Sequence, residues 1–300
     1  MENKIRQTVH SSVVVGGVNV DIWGSPCGAF SLRDSNPGKV VLKSGGVGCN
    51  IAHNLCLLGM KVSMITALGD DIFAGLAKER CRLAGIDLSL AETFPGESSS
   101  VYMYTTDPSG DMITAISDMD IVSRLTPEIL APKMDAINTF DSLVIDANLS
   151  PDAIRFLAEN ARIPVFADPV SVSKAGRLIP VLGKLEALKP NLLEAQALTG
   201  ETEPEKAAAA LLDAGVRKVF ISLGKDGILA AEKGKLVMLP SVPANVVNTS
   251  GAGDAAASAV IYGCIHHLEL EETAKLAAKA GAVTAESPET NCPFLSRILP

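Results

Sequence analysis

The sequence predicts an α/β protein: a mostly parallel sheet covered by helices on both faces, with a small separate sheet beside it. Two observations carry this. Short, near-continuously apolar runs alternate with helical patterns along most of the chain, which is how strands buried on both faces read. Two stretches, 22–43 and 98–116, break that rhythm with glycine, proline, serine and a turn.

Taken in order, residues 13–18 form a compact apolar strand, and residues 50–58 place Ile51, Leu55 and Leu58 on one helical face. Residues 62–67 read as a strand and 71–84 as a helix stopped by Gly85. Segments 99–106 and 112–116 flank the turn Asp107-Pro-Ser-Gly110, a β-hairpin pattern. With 22–43, that hairpin is expected to form a lid over the ends of the main strands. Segments 143–146, 165–168, 185–188 and 219–223 read as buried strands. Segments 151–161, 192–200, 205–214 and 271–285 read as helices. No internal repeat, low-complexity tract or long linker is visible.

At 300 residues, 47% hydrophobic and 20% charged, the chain suits a globular protein with a large core. The net charge is −8, so nucleic acid and anionic membrane are not expected partners, while a small anion held by backbone dipoles is compatible. No apolar run reaches the ~18 residues of a membrane span, and residues 1–10 are polar, without a signal core. None of the six cysteines forms a C-x-x-C pair, so reduced thiols in a cytoplasmic protein are expected. Four scattered histidines have no metal-ligand spacing. Trp23 reads equally as a ring for a ligand base or an anchor of the lid.

The sharpest local pattern is Asn248-Thr-Ser-Gly-Ala-Gly-Asp254, followed by a run of small residues to Gly263. Glycine and alanine leave backbone N–H groups unobstructed, and the helix that follows adds its positive end. That suits charge on a transferring phosphoryl group. Asp254 at the same turn is a candidate base for a hydroxyl. Alone, the segment is equally an ordinary glycine turn with an acid at a helix start. Gly251-x-Gly253-x-x-Ala256 loosely matches the dinucleotide fingerprint, but the helix runs into another helix, not into a βαβ unit. No Gly-Lys pair is followed by Ser or Thr, so a Walker A loop is absent.

Two further constellations follow. In Lys189-Pro-Asn-Leu-Leu-Glu194, Asn191 and Glu194 share a face of the first helical turn. A carboxylate there suits hydrated Mg²⁺, and a capping box is the plainer reading of the same pair. In Gly16-Gly-Val-Asn-Val-Asp21, Asn19 and Asp21 face one side of a strand end, and Gly45-Gly-Val-Gly-Cys-Asn50 opens the first helix. Amide and carboxylate groups at such strand ends can clamp sugar hydroxyls.

In this order, the three constellations resemble the ribokinase-like (PfkB) sugar and nucleoside kinases, from about residue 13 to 285. Asp34-Ser-Asn-Pro-Gly-Lys39, Gly45-Gly-Val-Gly, Asn50-Ile-Ala, Ser117-Asp-Met-Asp-Ile121 and Thr290-Asn with Pro293 are similar to the family members that phosphorylate pseudouridine. The resemblance implies one three-layer α/β/α domain over 1–300, with a β lid from about 22–43 and 98–116. It implies ATP-dependent phosphorylation of the 5′-hydroxyl of pseudouridine. Asp254 would be the base, and Gly251, Ala252 and Gly253 the anion hole. Asn19, Asp21, Gly45, Gly46, Asn50 and Asn148 would hold the ribose. Asp34, Asn36, Ser117 and Asp118 are the expected acceptors for the base. Asn191, Ser222, Gly224, Thr249 and Ala280, with Gly251 and Gly253, would line the ATP site. Glu194 and Asn191 would hold Mg²⁺ through water. Val47 stands where ribokinases carry Lys, which argues against free ribose as substrate. Cys49 stands where pseudouridine-specific members carry Arg. Asn248 stands where many relatives carry Asp near a monovalent-cation site, which leaves K⁺ activation open. Lid strands of such folds pair across a homodimer, which is the expected assembly if one forms.

Overall fold

Residues 9–299 are described by the structure, a computed structural model, so most of the polar stretch 1–10 lies outside them. The chain begins with β1 (Ser11–Val15), β2 (Asn19–Pro26), β3 (Gly38–Gly45), α1 (Val47–Leu57), β4 (Lys61–Ile65), β5 (Ala67–Leu68) and α2 (Ile72–Ala84). Then come β6 (Ile86–Asp87), β7 (Glu92–Thr93), β8 (Val101–Thr106), β9 (Met112–Asp118), α3 (Pro127–Leu130), α4 (Met134–Ile137) and β10 (Ser142–Asp146). The next elements are α5 (Pro151–Asn160), β11 (Val165–Asp168), α6 (Val172–Ala175), β12 (Leu185–Leu188), α7 (Leu192–Thr199) and α8 (Pro204–Asp213). The order closes with β13 (Lys218–Ser222), β14 (Ile228–Glu232), β15 (Lys235–Leu239), α9 (Ala252–Ile265) and α10 (Leu270–Ala285).

Nine strands form the main sheet in the order β15-β14-β13-β12-β11-β10-β1-β4-β6. The β13–β14 and β14–β15 pairings are antiparallel and the other pairings are parallel. The apolar runs are apolar because both faces are covered. Val13, Val15, Leu143 and Ile145 pack toward α5 and α8, while Val14, Val144, Phe166 and Phe220 pack toward α1, α9 and α10. The fold class read from the sequence is the observed one. The small residues after Asp254 have a packing role in α9: a Cβ on Gly263 would lie 2.7 Å from Thr273 of α10. Among the described residues, no helix is long and apolar enough to cross a membrane, and all six cysteines are free.

A separate four-stranded sheet has the order β3-β2-β8-β9, with β2 and β8 parallel. The main surprise is at its root. Asn19 and Asp21 do not end the first strand; they open β2. The break has a steric cause. Gly16 lies so close to the Asp146 carboxylate that a Cβ would stand 2.4 Å from Asp146 Oδ2, and the chain turns away there. The hairpin β14–β15, closed by Gly234 at φ 78°, is a second difference, because neither of its strands was anticipated. α1 also begins three residues early, with Gly46 at its N-cap at φ 99°.

Candidate active site

The carboxyl ends of β1, β10 and β11 converge on the start of α9. Gly251 is the N-cap of α9 at φ 81°, and a Cβ there would stand 2.1 Å from the Thr290 carbonyl oxygen. Both facts demand glycine. The first-turn residues Ala252, Gly253 and Asp254 follow it. N–H groups of a first turn have no intrahelical acceptor and can meet an anion; that of Ala252 donates to the Thr249 carbonyl oxygen at 3.3 Å. Two cavities meet at this turn. One, about 960 Å³, is lined by Asn19, Asp21, Gly45, Gly46, Asn50, Asn148 and Gly251. The other, about 640 Å³, is lined by Asn191, Ser222, Gly224, Thr249, Ala252 and Gly253.

Asp254 is held by Asn50, whose Nδ2 donates to Asp254 Oδ2 at 2.8 Å. Burial pushes its carboxyl up to about 7, and the charge of Asp168 adds to that, while the Asn50 bond and Lys189 pull the other way. A carboxyl near neutrality is suited to taking a proton at physiological pH. Asn50, read as a sugar contact, therefore touches the candidate base itself.

In the first cavity, Asn19 Nδ2 donates to Asp21 Oδ1. Burial lifts the Asp21 carboxyl to about 6 against the opposing effects of Asn19 and Lys43. The glycines beside this pair are required by contact: a Cβ on Gly45 would lie 2.5 Å from Asp21 Oδ2, and one on Gly46 would lie 2.5 Å from the Gly17 carbonyl oxygen. Trp23 also lines this cavity, and its indole Nε1 donates to Thr106 Oγ1 at 3.0 Å.

Asp146 was not anticipated. It is fully buried at the end of β10. Its Oδ2 accepts from the N–H of Gly17 at 2.9 Å and of Gly48 at 3.0 Å, and its Oδ1 accepts from the N–H of Asn148 at 2.9 Å. One carboxylate thus ties together the glycine turn, the start of α1 and Asn148. Burial raises its proton affinity and those three donors oppose the rise. Its only signal in the sequence was a charged residue closing an apolar strand. Lys174, Val170 and Ser171 were also missed, and all three line the first cavity.

Asn191 and Glu194 make the capping box: Asn191 Oδ1 accepts from the Glu194 N–H at 2.9 Å, and Glu194 Oε2 accepts from the Asn191 N–H at 2.9 Å. Asn191 also lines the second cavity, whereas Glu194 is buried and lines neither cavity. Burial raises the Glu194 carboxyl, which a nearby cation would reverse. Among the described residues no three acidic, His or Cys side chains form a ready metal cage. The oxygen donors here therefore fit a hard cation that keeps its water and phosphate ligands.

Several expected positions do not line either cavity, Asp254 and Glu194 among them. Ala280 is buried, and its α10 neighbours Ala277, Gly281 and Ala282 line the second cavity instead, because helical rotation turns residue 280 inward. Asp34 lies in an exposed loop and accepts from the N–H of Ser35 at 2.7 Å. Asn36 shapes the same loop, with its Oδ1 accepting from Ser31 N–H. Asp118 is exposed at the end of β9, and strand alternation presents its neighbour Ser117 to the first cavity. Cys49 is buried beside Cys81, with sulfurs 4.0 Å apart, and Asn248 Nδ2 donates to the Pro288 carbonyl oxygen at 3.3 Å.

Residues 9–296 match the family described as pfkB family carbohydrate kinase. The chain is 33% identical over 291 residues to a pseudouridine kinase of Escherichia coli, covering 95% of this chain and 93% of that one. A carbohydrate kinase from Agrobacterium tumefaciens superposes with a TM-score of 0.86 at 29% identity, covering 96% of this chain and 95% of that one. An Arabidopsis thaliana ribokinase solved with ribose and ATP superposes with a TM-score of 0.83 at 21% identity, covering 97% and 98%.

Proposed function

The chain belongs to the pfkB family of carbohydrate kinases and is a phosphotransferase with an alcohol acceptor, and on that premise we propose that it transfers the γ-phosphoryl group of MgATP to the 5′-hydroxyl of pseudouridine. The products are pseudouridine 5′-phosphate and ADP. The observation that carries this reading is the start of α9: an acid with a carboxyl near 7 and a glycine-bounded set of N–H groups, between two cavities. The likeness to a pseudouridine kinase supports the choice of nucleoside.

In this reading the nucleoside occupies the first cavity and ATP the second. Asn19, Asp21 and Gly46 hold the ribose. Asn50 orients the Asp254 carboxylate, which accepts the 5′-hydroxyl proton as that oxygen bonds to the γ-phosphorus. The bond from the γ-phosphorus to the β,γ-bridging oxygen breaks, and ADP carries away that electron pair. The N–H groups at residues 251–253 face the charge on the phosphoryl group in flight. Mg²⁺, when bound, neutralises triphosphate charge, with Glu194 and Asn191 holding its water shell.

Two expectations arise here. Glu194→Gln raises the Mg²⁺ concentration needed for half-maximal rate, with little change in nucleoside KM. A Mg²⁺ titration identical to that of the unaltered protein removes Glu194 from the metal site. In a coupled assay with ATP, pseudouridine is phosphorylated with kcat/KM at least about tenfold above uridine, and above ribose. Pseudouridine presents a ring N–H that uridine lacks, Ser117 lines the first cavity as an acceptor for it, and an acceptor closed over the base and left unpaired costs about 1–3 kcal/mol. Equal efficiency on both nucleosides means a general nucleoside kinase, and activity on ribose alone sets the nucleoside reading aside.

A further inference from the structure

The first cavity contains a second constellation on its core side, opposite the lid. Lys174 lines the cavity and donates from Nζ to Asn148 Oδ1 at 2.6 Å. Asn148 is itself fixed: its N–H reaches Asp146 Oδ1 at 2.9 Å, and its carbonyl accepts from Arg177 Nη1 at 3.1 Å. The chain reaches Lys174 through a strained turn. Val170 has φ 64°, its N–H donates to Asp168 Oδ1 at 2.8 Å, and the Ser171 N–H donates to the Pro169 carbonyl oxygen at 2.7 Å. Positive φ is rare for a β-branched residue, and such strain persists where the surroundings enforce it, commonly at ligand sites. Val170 and Ser171 line the same cavity as Lys174.

An ammonium group has three donors and no acceptor. Asn148 takes one of the three. Burial disfavours the charge on Lys174, while Asp146 favours it, so further acceptors from a ligand would stabilise the group. Ribose hydroxyls already have Asn19, Asp21 and Gly46. The acidic residues first expected to meet the base, Asp34 and Asp118, lie outside the cavity. The other lining lysine, Lys43, is exposed on the lid, with Nζ 5.9 Å from the Trp23 ring centroid.

We propose that Lys174, braced by Asn148 and the strained turn at Val170, determines specificity by donating a hydrogen bond to a carbonyl oxygen of the substrate's nucleobase. This rests on the reading of the first cavity as a nucleoside site. It restricts the substrate class to nucleosides whose base carries a carbonyl acceptor, and it gives the lysine no part in phosphoryl transfer.

The test compares pseudouridine with a phenyl C-riboside, which keeps the sugar and the carbon–carbon link but has no carbonyl. Each is measured as a substrate or, without turnover, as a competitive inhibitor. The unaltered protein favours pseudouridine by about 10- to 100-fold, the range of one hydrogen bond from a charged donor. Lys174→Met narrows that preference to within a few-fold, chiefly through the KM for pseudouridine, and Lys174→Gln, which keeps a donor, retains part of it. A preference undiminished in Lys174→Met overturns the assignment, as does its absence in the unaltered protein. If the unaltered protein turns over another carbonyl-bearing nucleoside instead of pseudouridine, the choice of nucleoside fails alone and the same comparison runs on that substrate. Turnover of base-free sugars alone overturns both.

Discussion

Asp254→Asn lowers kcat by about 10²–10⁴-fold, the usual cost of losing a general base, while ADP binding by calorimetry stays close to that of the unaltered protein. The amide is isosteric and meets Asn50 in the same place, but it has no basic oxygen for the 5′-hydroxyl proton. The pH dependence adds a sharper signature. With the carboxyl near 7, activity rises with pH through neutrality as the proton leaves Asp254, and this limb disappears in the variant. Stability moves in the opposite sense. A folded-state value raised above the ordinary 3.8 means that the folded protein holds this proton more tightly than the unfolded chain. The group's stabilising protonation is therefore complete at low pH and is lost as pH rises through about 7. Asp254→Asn removes that loss, so its melting temperature at pH 8 is no lower than that of the unaltered protein. Turnover near that of the unaltered protein, or a retained acid limb, removes Asp254 from the role of base.

Gly251→Ala lowers kcat by about 10²–10³-fold, the range seen when a donor to a developing oxyanion is displaced. The added methyl meets backbone, the Thr290 carbonyl oxygen, at a distance no real Cβ tolerates, and the residue must also keep φ 81°. Either the start of α9 or the segment carrying Thr290 has to move. Moving α9 misaims the N–H groups and the Asn50–Asp254 pair together. Gly253→Ala is the matched control. Its Cβ would meet nothing within 4 Å, so it melts with the unaltered protein, whereas Gly251→Ala melts several degrees lower. Equal kcat in Gly251→Ala and the unaltered protein shows that the glycine turn is not the anion site.

What the sequence makes legible is what neighbours in the chain decide. Apolar periodicity and the glycine-acid turn are local properties. Thus the parallel core, α9 with its small-residue face, and the capping geometry of Asn191 and Glu194 were all readable from neighbours in the chain. The positions that misled were those whose meaning is set by rotation or by a distant partner. Ala280 sits one helical step from the residues that reach the second cavity. Asp34 and Asn36 satisfy their own loop, as Asp and Asn do in turns.

By itself, the sequence determined the alternating α/β order, the candidate base Asp254 and the glycines around it, because these follow from side-chain period and backbone freedom within a few residues. Only the tertiary structure decided that Asp146, 129 residues from Gly17, closes the first strand. It also decided that Asn50 meets Asp254 across 204 residues and that Lys174 enters the first cavity. Each of these joins groups through hydrogen bonds or a shared cavity wall between segments far apart in the chain. A buried carboxylate is stable only where distant donors converge on it, and no local pattern encodes where those donors come from.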